Sequence, residues 1–297
     1  MTNQPHEPAF FGPLLLDFWN QQYEQSGRDN RPMSVEGARF RHSWAGWCAR
    51  RIQYEIQNRE GTRTFTIPAQ PPADRWRLEM GTIVHDYWQA ALQHALPDAT
   101  IEHITQHTLD NNDISAGHGD AVLTHPEFGK ICVELKTRNG YGYKTDIGAA
   151  KSQVPEGPAS TAKRQGALNA LAEDADLLVI LHISLEAVGP NQLPQPLTGQ
   201  QYHHRRMTAE WWYTKEEYTE WAEHELKRVA KIIEMTDAGK PAPRSVPELM
   251  PPGARIVNPV TSQWKKEVDG VVVGTDLLWH GRYCDYCPFQ EACEADG

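Results

Sequence analysis

The sequence predicts an α/β fold in which a mixed central sheet is flanked by helices. Residues 117–136 form two short strand patterns joined by a turn at 125–129. The run LLVILHISL at 177–185 is continuously apolar, which is typical of a strand buried on both faces. Apolar residues at helical spacing recur in four segments that supply the flanking layers, at 43–57, 74–96, 160–173 and 214–236.

The first third of the chain contains an extension, two helices and a strand. Residues 1–33 are expected to be an N-terminal extension with a helix near 12–25. Ser43 has the side chain of an N-cap, which places the start of the 43–57 helix there. His85 falls at the edge of the apolar face of the 74–96 helix, and a strand follows at 101–109.

The chain beyond the hairpin alternates loops, helices and strands. Residues 137–148 are rich in glycine and tyrosine and predict a mobile loop. Gln165 and Asn169 are four residues apart and share one face of the 160–173 helix. A strand is expected at 201–213, and Thr214 is the expected N-cap of the 214–236 helix. The proline-rich stretch 240–259 is expected to follow the surface.

The hairpin at 117–136 carries the chemistry. Alternation along a strand places Cys132, Glu134 and Lys136 on one face, with Asp120 on the preceding strand. Two carboxylates and a lysine within a mostly apolar hairpin are costly unless something compensates them. A divalent cation bound by Asp120 and Glu134 does so, and it places Lys136 beside a metal-bound water or a phosphate. The alternative is a solvent-facing hairpin with an ordinary Glu134–Lys136 pair.

Composition limits the function classes. The 297 residues are 39% hydrophobic and 23% charged, as expected of a globular chain. A net charge of −10 argues against a protein that coats nucleic acid indiscriminately, but basic residues gathered in one groove remain compatible with a DNA enzyme. No apolar run is long enough to span a membrane, and the N-terminus lacks the pattern of a secretory signal. The expected location is the cytoplasm.

The cysteines predict a metal or cluster site. Cys284, Cys287 and Cys293 form C-x2-C-x5-C, and Cys48 is the candidate fourth ligand, while Cys132 is expected in the core. Zinc and a 4Fe–4S cluster both accept four thiolates. The single C-x2-C pair favours the cluster, and structural zinc is the alternative. Either ligation would join the end of the chain to its beginning.

A set of short motifs in this order resembles a known nuclease family. The set comprises Ser43 with Cys48-Ala-Arg50, Gly81-Thr-Ile-Val-His85, Gly117-His-Gly-Asp120, Glu134-Leu-Lys136, Gln165 and the cysteine triplet. Together they resemble the RecB-like branch of the PD-(D/E)xK nuclease superfamily. Within it, the chain is most similar to iron–sulphur exonucleases that include CRISPR-adaptation nucleases, AddB-type helicase-nucleases and phage recombination exonucleases. The resemblance covers roughly residues 43–293.

The resemblance implies a restriction-endonuclease-like core and a role for each matching residue. Mg²⁺ or Mn²⁺ would be bound by His85, Asp120, Glu134 and the backbone carbonyl of Leu135. Lys136 would orient and polarise the attacking water. Gln165 matches the first residue of the family's QxxxY motif, which helps to position DNA and the lysine, and Asn169 stands where that motif has tyrosine. Cys48, Cys284, Cys287 and Cys293 would hold a structural 4Fe–4S cluster.

Basic and aromatic residues beyond the hairpin are candidates for DNA contact. Arg138, Lys144, Lys163 and Arg164 are predicted to contact phosphates, and Tyr141 and Tyr143 to stack on bases. The alternative for this group is a solvated loop.

The sequence therefore predicts one nuclease domain over residues 34–297. Its catalytic core spans about 74–213, and its cluster-binding lobe combines 43–60 with 240–297. The expected activity is metal-dependent exonuclease digestion of single-stranded DNA or duplex ends, in phage recombination or repair. The resemblance also allows CRISPR spacer processing, protein partners from either pathway, and a homo-oligomer. The competing hypotheses are a non-catalytic DNA-binding module and a zinc-stapled structural protein.

Overall fold

Two sheets and six α-helices occur in the part of the chain that the structure describes. The computed structural model describes residues 21, 35–67, 72–149, 157–189, 206–242, 255–258, 263–268, 271–277 and 287–296. The strands are β1 (Ala38–Arg41), β2 (Thr100–Thr108), β3 (Ile114–His125), β4 (Gly129–Arg138), β5 (Leu177–Ser184), β6 (Thr208–Thr214), β7 (Arg255–Asn258), β8 (Gln263–Val268) and β9 (Val271–Leu277). The helices are α1 (Ala49–Glu60), α2 (Pro72–Ala95), α3 (Gly140–Asp146), α4 (Ser160–Ala172), α5 (Lys215–Asp237) and α6 (Gln290–Ala295).

Six strands form the central mixed sheet. The order is β1-β3-β4-β5-β6, with β2 paired to β3. β4 and β5 are parallel, whereas the β2–β3, β3–β4 and β5–β6 pairs are antiparallel. The predicted mixed sheet flanked by helices is therefore confirmed, as is the hairpin that forms β3 and β4. The separate β7-β8-β9 sheet is an addition that the sequence did not predict.

One edge of β3 is left open at its centre. Ala116 pairs with Gln106 of β2 and with Arg41 of β1, so β1 lies on the edge opposite β2. Ala121 pairs with β2 and also with Val133 of β4, so β4 occupies that same opposite edge further along. Residues 117–120 lie between these two partners, and the paired strands leave a gap there. The Gly-His-Gly-Asp motif occupies this gap.

Helix α4 packs closely against the sheet because Gly166 has no side chain. A Cβ at Gly166 would lie 3.0 Å from Leu178 Cδ1 and 3.1 Å from Glu134 Cβ. The main core includes buried residues from the sheet and from α1, α4 and α5, among them Phe40, Ile52, Leu168, Leu178, Tyr218 and Val229. The close approach brings the polar residues of α4 over β4.

Several predicted helices and strands are confirmed with small shifts in their bounds. The predicted 74–96 and 160–173 helices correspond to α2 and α4, and the 101–109 and 177–185 strands to β2 and β5. Helix α5 follows Thr214, which is its N-cap as predicted, and the Thr214 side chain forms a capping box with Glu217. The strand expected at 201–213 is shorter and later, as β6.

Two local predictions were wrong. The helix expected from Ser43 begins instead at Ala49, with Cys48 as its N-cap, and His42–Trp44 form a 3₁₀ turn. Gly46 has a φ of 76°, a left-handed conformation that interrupts the helix. The expected mobile loop at 137–148 contains α3, because the Asn139 side chain caps the helix by accepting from Gly142 N.

Some predictions fall outside the described residues. These are the 12–25 helix, most of the proline-rich 240–259 stretch, and Cys284. Within the described residues, none of the helices combines the length and apolar character that a membrane crossing requires.

Candidate active site

The gap in β3 brings Asp120 between α2 and β4. Its Oδ1 lies 3.0 Å from Nε2 of His85 on α2. Its Oδ2 accepts a hydrogen bond of 2.6 Å from the backbone N–H of Leu135. The pairing of β3 with β4 ends at Ala121 and Val133, so the carboxylate satisfies a backbone donor on the edge of β4 that faces β3. His85 and Asp120, far apart in sequence, therefore lie in contact.

Glu134 and Lys136 form an ion pair beside this gap. Glu134 is fully buried, and its Oε1 lies 2.5 Å from Lys136 Nζ. Lys136 also donates a 2.9 Å hydrogen bond to Oε1 of Gln165 on α4. The Lys136 side chain is 30% exposed, so its ammonium lies at the border between the core and solvent. Glu134 and Lys136 lie on the face of β4 that is covered by α4, and Gln165 lies on the face of α4 that is turned toward β4.

The electrostatics of the pair follow from its burial. Burial raises the pKa of Glu134, Asp120 adds to the increase, and Lys136 opposes it. Burial alone would lower the pKa of Lys136, but Glu134 and Asp120 outweigh it and raise that pKa. In the same way burial lowers and Asp120 raises the pKa of His85, with a net increase. The site thus holds a charged ammonium and an imidazole of raised pKa beside two carboxylates.

Asn169 connects Glu134 to two residues that the sequence did not single out. Its Nδ2 donates 2.9 Å to Glu134 Oε2 and its Oδ1 accepts from Thr105 Oγ1 at 2.8 Å. His42 Nδ1 lies 2.8 Å from the same Oδ1. The available signal was Gly117, because a glycine inside a strand often marks close approach by another group. That group is His42, whose ring would lie 2.6 Å from a Cβ at position 117.

The donor types at the gap fit a divalent cation. An imidazole nitrogen and two carboxylates suit Mn²⁺ or Mg²⁺. Oε1 of Glu134 is buried and lies beside the Lys136 ammonium at the gap. As arranged here, His85 and Asp120 contact each other, and no three His, Cys, Asp or Glu side chains among the described residues form a ready-made metal site.

Three of the predicted DNA-contacting residues are engaged within the protein. Arg138 donates two hydrogen bonds, of 2.7 and 3.0 Å, to the buried Asp146. Arg164 Nη1 lies 3.3 Å from Glu225. Tyr143 is fully buried against Ile147, Val188 and Ala209, so the prediction that it stacks on bases was wrong.

Other predicted DNA-contacting residues lie nearer the surface. Tyr141 is 79% exposed. Lys163 Nζ lies over the rings of Tyr213 and Trp221, at 5.7 and 5.6 Å from their centroids. Lys144 lies in the last turn of α3. Their contact with DNA stays a prediction.

Three of the four predicted cluster cysteines lie within the described residues. Burial raises the pKa of Cys48, and the nearby Cys293 and Cys287 add to the increase. Tyr54 of α1 donates a 2.6 Å hydrogen bond to Asp296, and Arg63 pairs with the same carboxylate. The chain end therefore packs against α1, as a staple between the two would require. The described residues show no assembled cluster site.

Comparison with known proteins identifies similar structures but no family. No protein-family model matches the chain, and no curated protein matches it. The crystal structure of SSO0001 is similar with a TM-score of 0.52 at 15% identity, covering 96% of this chain and 98% of that one. The crystal structure of the alkaline exonuclease LHK-Exo from Laribacter hongkongensis has a TM-score of 0.41 at 12% identity, covering 68% and 89%. The first similarity shows a shared fold alone, and the second is too low to establish one.

Proposed function

We propose that this protein is a metal-dependent nuclease that hydrolyses DNA phosphodiester bonds from DNA ends. The observation that carries the proposal is the placement of Lys136 Nζ, 2.5 Å from Glu134 and 2.9 Å from Gln165, beside the Asp120–His85 contact. This combination supplies two carboxylates, an imidazole and an ammonium at one partly open edge of the sheet. It supports the PD-(D/E)xK resemblance with contacts that the sequence alone does not contain.

Phosphodiester hydrolysis needs a nucleophile, stabilisation of added negative charge and a route for the leaving oxygen. A divalent cation held by His85, Asp120, Glu134 and the Leu135 carbonyl would lower the pKa of water and bind phosphate oxygens. The charged Lys136 would orient the attacking water and offset charge on the phosphate. Gln165 fixes the ammonium through its hydrogen bond.

The finer assignment follows the resemblance. We propose exonuclease digestion of single strands or duplex ends in phage recombination or repair, with CRISPR spacer processing as the second candidate. Tyr141, Lys144 and Lys163 are the proposed DNA contacts. Protein partners from these pathways and self-association are open to test by pull-down and light scattering. The proposed location is the cytoplasm, where the cysteines would remain reduced.

A structural 4Fe–4S cluster on Cys48, Cys284, Cys287 and Cys293 is part of the proposal. The proximity of Cys287 and Cys293 to Cys48 supports it, as does the hydrogen bond from Tyr54 of α1 to Asp296 at the end of α6. Bound zinc would leave the purified protein colourless, whereas a cluster gives visible absorbance.

The decisive experiment is digestion of end-labelled linear DNA beside a covalently closed circle, with Mn²⁺, Mg²⁺ or EDTA. Lys136→Ala should slow cleavage by about 100-fold or more, the scale for removing one preorganised charge, while DNA binding is largely retained. Lys215→Ala is the matched control, because Lys215 is exposed and pairs with Asp174 away from the gap.

The outcomes separate the candidate functions. Metal-dependent loss of linear DNA by the wild type and Lys215→Ala, with a surviving circle, supports the exonuclease. Cleavage by Lys136→Ala at the wild-type rate would refute the assigned role of the lysine. DNA binding without cleavage under any condition favours the non-catalytic binding module.

A further inference from the structure

A buried polar chain runs from the segment after β1 to Glu134. Asn169 is fully buried, and its Nδ2 donates to Glu134 Oε2 at 2.9 Å and to the backbone carbonyl of His118 at 3.2 Å. Its Oδ1 accepts from Thr105 Oγ1 at 2.8 Å. His42 Nδ1 lies 2.8 Å from that oxygen and 3.1 Å from the Thr105 hydroxyl.

These contacts fix the direction of the Asn169 amide. Two acceptors lie on its nitrogen side, and two donors lie on its oxygen side. Burial lowers the pKa of His42 to about 3, so the ring is neutral at physiological pH, and its proton is on Nδ1 because Oδ1 can only accept. A reversed amide would place its oxygen against the Glu134 carboxylate and the His118 carbonyl, neither of which can donate. Glu134 and the His118 carbonyl therefore fix the amide direction, and His42 and Thr105 hold the amide oxygen in place on the opposite side.

The fold provides space specifically for this chain of contacts. His42, Thr105, Asn169 and Glu134 come from the 3₁₀ turn after β1, from β2, from α4 and from β4. The His42 ring occupies the volume that a Cβ at Gly117 would need, with a separation of 2.6 Å. His118 is in the gap of β3, so Asn169 also satisfies a backbone carbonyl there.

The contacts constrain how Glu134 can act. A fully buried carboxylate must satisfy both oxygens, and Asn169 satisfies Oε2. Oε1 is then the oxygen directed toward Lys136 and the gap. Residues that hydrogen-bond a metal-binding carboxylate typically change metal affinity or activity by about 10–100-fold when removed.

We propose that His42, Thr105 and Asn169 form a positioning relay that orients Glu134 for divalent-cation binding. The inference rests on the proposed nuclease function and adds residues to that same site. Thr105 offers the cleanest substitution, because valine has nearly the same shape as threonine and lacks only the hydroxyl donor.

The experiment compares Thr105→Val, Thr105→Ser and Asn169→Ala with a matched control, Thr236→Val. The Thr236→Val substitution also removes a buried hydrogen bond, the 2.7 Å bond from the Thr236 hydroxyl to the Ile232 carbonyl, but Thr236 lies on α5, outside the relay. Direct Mn²⁺ binding is measured by electron paramagnetic resonance, kcat and KM by DNA digestion, and folding by thermal unfolding.

Thr105→Val and Asn169→Ala should weaken Mn²⁺ binding and lower kcat by about 10–100-fold, with KM for DNA nearly unchanged. Thr105→Ser should retain both properties, and Thr236→Val should lower only the melting temperature. Wild-type Mn²⁺ binding and kcat in Thr105→Val and Asn169→Ala would overturn the relay and leave the nuclease proposal intact. A wild type that neither binds Mn²⁺ nor cleaves DNA would overturn both. If it binds Mn²⁺ without cleaving, the binding data alone decide the relay.

Discussion

Glu225 links three separate segments through one buried carboxylate. The side chain is fully buried on α5 and contacts Arg164 of α4 and Arg228 of α5. It also accepts a 2.8 Å hydrogen bond from the backbone N–H of Gly46, before α1. Burial would raise the pKa of Glu225, but Arg228 and Arg164 outweigh it and lower that pKa. The ionised carboxylate is therefore a stabilising part of the fold.

We expect Glu225→Gln to destabilise the protein by about 3–5 kcal/mol, the usual cost of leaving buried charges without their partner. At about 2–4 °C per kcal/mol, the melting temperature should fall by about 6–20 °C. The control is Glu223→Gln on the same helix, where an exposed pair with Lys227 at 3.5 Å is expected to contribute about 0.3–0.5 kcal/mol.

The assay is thermal and urea unfolding at neutral pH and in acid. Because the folded pKa is lowered, the contribution of Glu225 is present above its unfolded pKa and is lost as the pH falls through the folded pKa. The difference in unfolding free energy between wild type and Glu225→Gln should therefore disappear in acid. A melting temperature for Glu225→Gln equal to that of Glu223→Gln would refute the reasoning. A stability difference between wild type and Glu225→Gln that does not change with pH would refute it as well.

Three further predictions concern the surroundings of the site. Gly117→Ala should cost about 1–3 kcal/mol in urea unfolding, because its Cβ would overlap the His42 ring, and a wild-type midpoint would contradict this packing. Asp146→Asn should cost about 2–3 kcal/mol at neutral pH by weakening the charged hydrogen bonds with Arg138, and the loss should vanish in acid because the folded pKa of Asp146 is lowered. Cys287→Ser, purified anaerobically, should lack the visible absorbance of the proposed cluster, and a brown variant would remove this cysteine from the ligand set.

Local periodicity was enough to predict the centre of the candidate site. Alternation along β4 places Glu134 and Lys136 on one face, and the four-residue spacing on α4 places Gln165 and Asn169 together. Each pattern is a property of one strand or one helix and does not depend on how the other elements are arranged. The contact between Lys136 and Gln165 then needed only the packing of α4 on β4.

The gap in β3 could not be predicted in this way. It exists because β1 and β4 pair with the same edge of β3 at different levels, and strand partners are a property of the whole sheet. His42 and Thr105 belong to the site only through that arrangement. Gly117 was the one local sign of it.

The sequence by itself determined α2, α4 and α5, strands β2 to β5, the mixed α/β class and the placement of Glu134 and Lys136 on one face of β4, since these depend on residues close together in the chain. Tertiary structure alone decided which charged and aromatic side chains pack or pair inside the protein and which remain at the surface. Arg164 pairs with Glu225, 61 residues away, and Tyr143 is buried by residues from other segments. Composition cannot separate such residues from free surface ones, because a charge or a ring has the same identity whether its partner is protein or ligand.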